Sequence, residues 1–180
     1  MPAVRHLPPG YVVHYPNRDK AASRVTKLMV VAILLASVVL MLVVTVGGWS
    51  TLEGMTVVNF GWCAVYLVIA FYVARWARGL LPIATALAIL LLVVALIAGV
   101  GGAGTSWFDR AHAGYAPTQS LFGGGGLSPD ALGLVTLLIA PVQALLIAVA
   151  MHGFRQSWNI EVEVAEESLP PGASFVRLPA

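Results

Sequence analysis

Four long runs of uncharged, apolar residues constrain this chain more than any other feature. Leu28 to Val46 contains only Ser37 and Thr45 as polar positions, and nineteen residues rising about 1.5 Å each nearly match a hydrocarbon core roughly 30 Å thick. Lipid offers no partner to a backbone N–H or C=O, so such a run must close its hydrogen bonds on itself, as a helix. Three further runs, at about 55–74, 80–98 and 131–151, are equally free of Asp, Glu, Lys and Arg. With 59% hydrophobic and 10% charged residues, the whole chain sits far from the roughly 25% charged content of soluble domains. The expected fold is an all-α membrane protein: an antiparallel bundle of four transmembrane helices over residues 28–152. Short, partly flexible tails at 1–27 and 153–180 complete it.

The first run follows a hydrophilic segment and ends in Val44-Thr45-Val46-Gly47-Gly48-Trp49, without a small-residue cleavage site, so it reads as an uncleaved anchor. The fourth has the clearest start. Ser128 caps it, Pro129 suits its first turn, and Asp130 sets a negative charge near the positive end of the helix dipole. The four glycines before that start, Gly123 to Gly126, lack the lysine and the preceding strand of a phosphate-binding loop and read as a hinge.

Basic residues set the orientation. Arg5, Arg18, Lys20, Arg24 and Lys27 precede the first run, Arg75 and Arg78 lie between the second and third, and Arg155 follows the fourth. The other two connections hold only Arg110. The expectation is a protein of the plasma (inner) membrane with both termini cytoplasmic, an outer loop at 101–128, and membrane lipid as its solvent. Trp49 and Trp107 outside, with Trp76 and Trp158 inside, are expected as anchors at headgroup level.

Helices in lipid pack through small residues and polar contacts. Small residues recur at Ala32 and Ala36, at Ala84, Ala88, Ala95 and Gly99, and at Ala140, Ala144 and Ala148, the last series being the most regular. Pro141 removes a hydrogen bond at the middle of the fourth run and is expected to kink it. Gln143, two residues on, needs a partner in hydrocarbon, and Asn59 is the first candidate. Asn59, Cys63 and Tyr66, spaced by four and three, share one face of the second helix. The plainer reading makes these side chains bundle glue. The alternative makes them the lining of a polar cavity near Gln143 and Asn59, as in a small transporter or channel component.

Catalytic and cofactor chemistry find little support. No ionisable group lies inside the runs, and Glu53, Asp109, Asp130 and His152 sit at their ends. The small four-helix multidrug exporters resemble the chain in span number, but they depend on a carboxylate in the first helix that is missing here, so their activity is not carried over. Histidines 6, 14, 112 and 152 are placed wrongly for paired haem ligation. Asp109 with His112 is too sparse for a metal site, and Asp109 is expected to pair with Arg110 or cap a turn. Cys63 is the only cysteine, which rules out an intramolecular disulfide. A formal net charge of +2, with basic residues scattered at helix ends, disfavours nucleic acid. No catalytic residue, cofactor or metal is expected.

Contact with other proteins is better supported. Trp107, Phe108 and Tyr115 in the outer loop are candidate partner contacts. Ile160, Val162 and Val164 alternate with Glu161 and Glu163 in the period of a half-exposed strand, as does the shorter run from Tyr11 to Tyr15. These two segments can pair with each other, helped by Arg18, Lys20, Arg24 and Lys27 facing Glu161, Glu163, Glu166 and Glu167. Prolines 8, 9, 170 and 171 favour solvated tails instead. The expected role is an accessory or assembly subunit of a larger membrane complex, with respiratory enzymes as one host, whose partners are other membrane subunits or a second copy.

Overall fold

The computed structural model describes residues 7–52, 54–100, 107–108 and 119–177. The chain is mostly helical, with four helices long and apolar enough to cross a membrane. In chain order its elements are strand β1 (Tyr11–His14), helices α1 (Pro16–Asp19), α2 (Ala21–Gly47), α3 (Trp49–Leu52), α4 (Met55–Ala74), α5 (Leu81–Gly99) and α6 (Pro129–Arg155), and strands β2 (Val162–Ala165) and β3 (Phe175–Val176). The second apolar run matches α4 end to end. The first and fourth extend by about two turns and one turn beyond their uncharged stretches, because a helix in water-facing territory tolerates Arg24, Lys27 and Arg155.

Local chemistry explains the helix limits. The Ser128 hydroxyl accepts from the Ala131 N–H at 3.2 Å, satisfying one of the orphan donors of α6, with Pro129 at its first position and Asp130 in its first turn. At the opposite end of the helices, basic side chains take up orphan carbonyls. Lys27 donates to the Ala74 carbonyl at 3.2 Å, and Arg78 to the Phe154 carbonyl at 2.7 Å. Helix α6 continues unbroken through Pro141, which sits on its exposed side. The glycine run is tied down more firmly than a hinge would be. Gly123 and Gly126 have φ of +76° and +65°, and a Cβ on Gly126 would lie 2.8 Å from the Gly47 carbonyl oxygen. Leu127 N–H donates to that same oxygen at 2.9 Å, so the segment is fastened to the end of α2.

Helix α5 packs along α6, and α2 packs on both α6 and α4, whereas α4 and α5 scarcely touch. Small residues set the closest approach, on faces only partly expected. Ala84, Ala88, Ala95 and Gly99 of α5 are all buried, and a Cβ on Gly99 would stand 2.8 Å from the Leu137 backbone nitrogen. Ala144 and Ala148, however, are exposed, and so are Ala32 and Ala36. Ala140 of the expected series is buried, but from there the buried stripe of α6 turns away from Ala144 and Ala148, running through Leu132, Thr136, Ile139, Gln143, Leu146, Ala150 and Gly153, and that of α2 runs through Thr26, Val30, Ile33, Ser37, Met41 and Thr45. Regular small spacing loses there to the side that carries the hydroxyls and the amide, since those groups gain most from leaving lipid.

The tails correct the all-α expectation. They form a three-stranded antiparallel sheet in the order β2-β1-β3, with Val12 opposite Val164 and His14 opposite Phe175. Central β1 buries Val12 and Val13, one on each face, which provides the apolar burial that keeps both tails from remaining solvated. Charge pairing across the tails takes a different form from the expected one. Arg18 donates to the Trp158 carbonyl and to Asn159, Arg24 approaches Asp19 of its own tail, and Glu166 pairs with Arg177.

Candidate functional site

Polar groups gather in three places. The first is a chain through the helix interior. The Tyr66 hydroxyl donates to Gln143 Oε1 at 2.8 Å, Gln143 Nε2 donates to Ser37 Oγ at 2.9 Å, and Ser37 donates in turn to the Ile33 carbonyl at 2.8 Å. Tyr66, Gln143 and Ser37 are all fully buried, so α4, α6 and α2 are cross-linked at one depth. Both ends of the Gln143 amide are satisfied, and this explains how it is accommodated away from water. Asn59 is not its partner. That side chain donates instead to Thr45 Oγ1 at 3.1 Å, because Asn59 lies about two turns of α4 nearer the loop end than Tyr66, which reaches Gln143. Cys63 is buried on the same face and is free. Ser37 and Thr45, the partners that sequence reasoning left unassigned, were identifiable only as the two polar positions of an otherwise apolar run.

The second place is a cleft of about 380 Å³ toward the loop end, where α4 and α5 part. Asn59, Leu91, Val94, Ala95, Ile97 and Thr136 are among the residues that line it, while Gln143 is not. Phe108 is buried over it and Trp107 lies half-exposed beside it, their rings 5.2 Å apart. Of the other loop residues singled out, Asp109, Arg110, His112 and Tyr115 lie outside the described residues, as does Glu53.

The third is the tail end. Trp158, expected as a headgroup anchor, is fully buried, its ring 5.4 Å from Trp76 and edge-on to it. Lys27 Nζ stands 4.1 Å from the Trp76 ring centroid. Gln156 receives the Trp158 indole N–H at 2.9 Å and donates to Thr26 at 2.9 Å, which stitches the tail to α2. Nearby, His14 Nε2 lies 2.8 Å from Asp19 Oδ2, while the Ser174 hydroxyl and N–H donate to Asp19 Oδ1 at 2.7 and 3.1 Å. Burial works to raise the Asp19 pKa, but the hydrogen bonds from His14 and Ser174 outweigh it and hold the carboxyl below its ordinary value. The serine and histidine both bind the carboxylate and do not bind each other, so this cluster is a clamp between the tails and lacks the order of a hydrolase triad. Ser174 is 155 residues from Asp19, a distance at which sequence holds no signal.

Ile160 and Val162 are exposed at the outer edge of the sheet, and Val164 is half-buried. Among the described residues, no group of three His, Cys, Asp or Glu side chains comes together to hold a metal.

Four apolar helices on this scale are consistent with a membrane protein. No protein-family model, curated protein or solved structure matches the chain.

Proposed function

We propose that the chain is a non-catalytic, four-span integral membrane protein that serves as an accessory or assembly subunit of a larger membrane complex, with respiratory enzymes as one candidate host. In this reading the helices form an antiparallel bundle in the plasma (inner) membrane, with both termini cytoplasmic. Two close contacts support that arrangement: Leu81, at the start of α5, lies beside Gly153 near the end of α6, and Gly99, at the end of α5, lies against Leu137.

The observation that carries the proposal is the tail sheet. Among the described residues, its outer strands β2 and β3 each leave one backbone edge without a strand neighbour, and Ile160, Val162, Phe175 and Val176 beside those edges are exposed. Unpaired edges with apolar side chains are templates for strand addition by a partner. The interior amide network meanwhile joins helices to one another, which supports reading Gln143 as bundle glue.

Purification in mild detergent followed by mass spectrometry of the co-eluting proteins tests the proposal. A stoichiometric partner is expected, and it should be lost when Ala165→Pro, at a φ of -63° that proline adopts, removes an outward-facing backbone donor from β2 and leaves the ladder to β1 intact. Recovery of the monomer alone, under conditions that keep other membrane complexes intact, refutes it. Labelling of intact cells at a cysteine engineered into either tail tests the orientation, and ready modification from outside overturns it. The transporter alternative retains Asn59 and Thr136 as polar groups lining the cleft and predicts substrate flux that Asn59→Leu abolishes.

A further inference from the structure

The cleft between α4 and α5 has a chemical asymmetry that points to its occupant. Its walls are almost wholly apolar, and two lip residues, Ile97 and Val94, are 73% and 53% exposed, so the mouth opens on the surface the helices turn toward lipid. Within it lies Thr136, only 6% exposed, whose hydroxyl has no hydrogen-bond partner among the described residues. The other hydroxyls of these helices behave differently. Thr26, Ser37, Thr45 and Thr85 each donate to the carbonyl four residues earlier, at 2.7 to 3.0 Å. Thr136 departs from that pattern although it lines the cleft, and its side chain has a second helical rotamer open to it.

Depth narrows the choice. Gly99, the last residue of α5, meets Leu137, the neighbour of Thr136, and α5 at about 28 Å is nearly as long as a hydrocarbon core is thick. Thr136 therefore stands toward the loop-side end of that thickness, the end nearer the ester carbonyls of one leaflet. The cleft runs inward from that level to Leu91, about 12 Å further along α5. Its volume falls within the range of ligand sites, roughly 300–1,000 Å³.

We propose that this cleft holds one acyl chain of a glycerophospholipid between α4 and α5, with the ester carbonyl accepting a hydrogen bond from the Thr136 hydroxyl. The bound lipid fills the seam that the two helices leave open and satisfies the Thr136 hydroxyl, which lacks a partner among the described residues. The inference does not depend on the protein-partner reading.

Native mass spectrometry of the delipidated full-length protein in detergent tests it, with dipalmitoyl phosphatidylcholine and its dihexadecyl ether analogue as probes. The ether keeps the chains and the headgroup but has no carbonyl. A single diester adduct is expected to persist at activation energies that strip other lipid, with the ether held about three- to tenfold more weakly and Thr136→Val lowering diester binding by the same factor. Val94→Trp, at the exposed lip, blocks the mouth and should remove the adduct while α5 keeps its interior face, so the test survives a misfolded Thr136 variant. Equal retention of diester and ether by the native protein leaves only annular lipid and overturns the proposal. Tighter binding of a lipophilic quinone than of the diester overturns it in favour of a ring-carbonyl ligand.

Discussion

Replacing Gln143 with leucine is the most direct probe of what holds the helices together. Leucine fills a similar volume and is at home in lipid, so the change removes hydrogen bonds with little loss of packing. Two bonds disappear: Tyr66 to Gln143 at 2.8 Å and Gln143 to Ser37 at 2.9 Å. Interhelical hydrogen bonds in membranes average about 0.6 kcal/mol and reach about 1.7, so the pair contributes about 1–3 kcal/mol. The orphans then differ. Ser37 keeps its donation to the Ile33 carbonyl at 2.8 Å and loses only an acceptor role, whereas the fully buried Tyr66 hydroxyl loses its acceptor and incurs about 1–3 kcal/mol. The total is about 2–6 kcal/mol, measured as a shift in the equilibrium unfolding curve in mixed micelles titrated with dodecyl sulfate. A double-mutant cycle isolates the Tyr66–Gln143 term. Tyr66→Phe alone strands the amide oxygen, but added to Gln143→Leu it removes the orphan, so the double variant should be more stable than the sum of the singles by about 0.6–1.7 kcal/mol. A Gln143→Leu cost below about 0.5 kcal/mol, or a coupling energy indistinguishable from zero, would refute the cross-link as an energetic feature.

Other perturbations probe other joints. Gly99→Ala places a methyl group 2.8 Å from the Leu137 backbone nitrogen, which cannot swing aside as a side chain would, so α5 and α6 must separate. A loss of about 1–3 kcal/mol is expected by the same denaturant titration, and a neutral result would show that the two helices are not in close contact there. Ser157 holds φ at +53°, a left-handed conformation that costs a non-glycine residue about 1 kcal/mol. Ser157→Gly should therefore raise the unfolding midpoint, and a lower midpoint contradicts the assignment. Asp19, with its folded pKa below the unfolded value of 3.8, stabilises the tail clamp fully above that value and progressively less as pH falls through the lower folded value. Hydrogen exchange of β1 and β3 amides should accelerate over that acidic window in the native protein but show no such step in Asp19→Asn, and a step that persists in the variant assigns it to another group.

How far the sequence reached differs from element to element. Spans were legible because burying a charge in lipid is so costly that Arg75 and Arg78 mark the gap between two helices without further information. The α6 start at Ser128-Pro129-Asp130 was equally plain, as capping is decided within four residues. The possible pairing of the Tyr11 and Val162 segments followed from alternation alone, although their register did not. Which side turned inward was legible for α5, through Ala84, Ala88, Ala95 and Gly99, but not for α2 and only in part for α6. Ala144 and Ala148 look like packing residues and face outward, whereas Ala84 and Ala88 look no different and are buried.

By itself, then, the amino-acid sequence determined the number of membrane-crossing helices, their limits within a turn or two, and the strand character of the tails. Tertiary structure alone decided the rotation of α2 and, in part, of α6, the Ser37–Gln143–Tyr66 chain, the parting of α4 from α5 around Thr136, and the Asp19–Ser174 clamp. The reason is the solvent. In water an apolar stripe announces the buried face, but lipid-facing and helix-facing positions are equally apolar, so the choice passes to a few hydrogen bonds and backbone approaches between residues far apart in the chain.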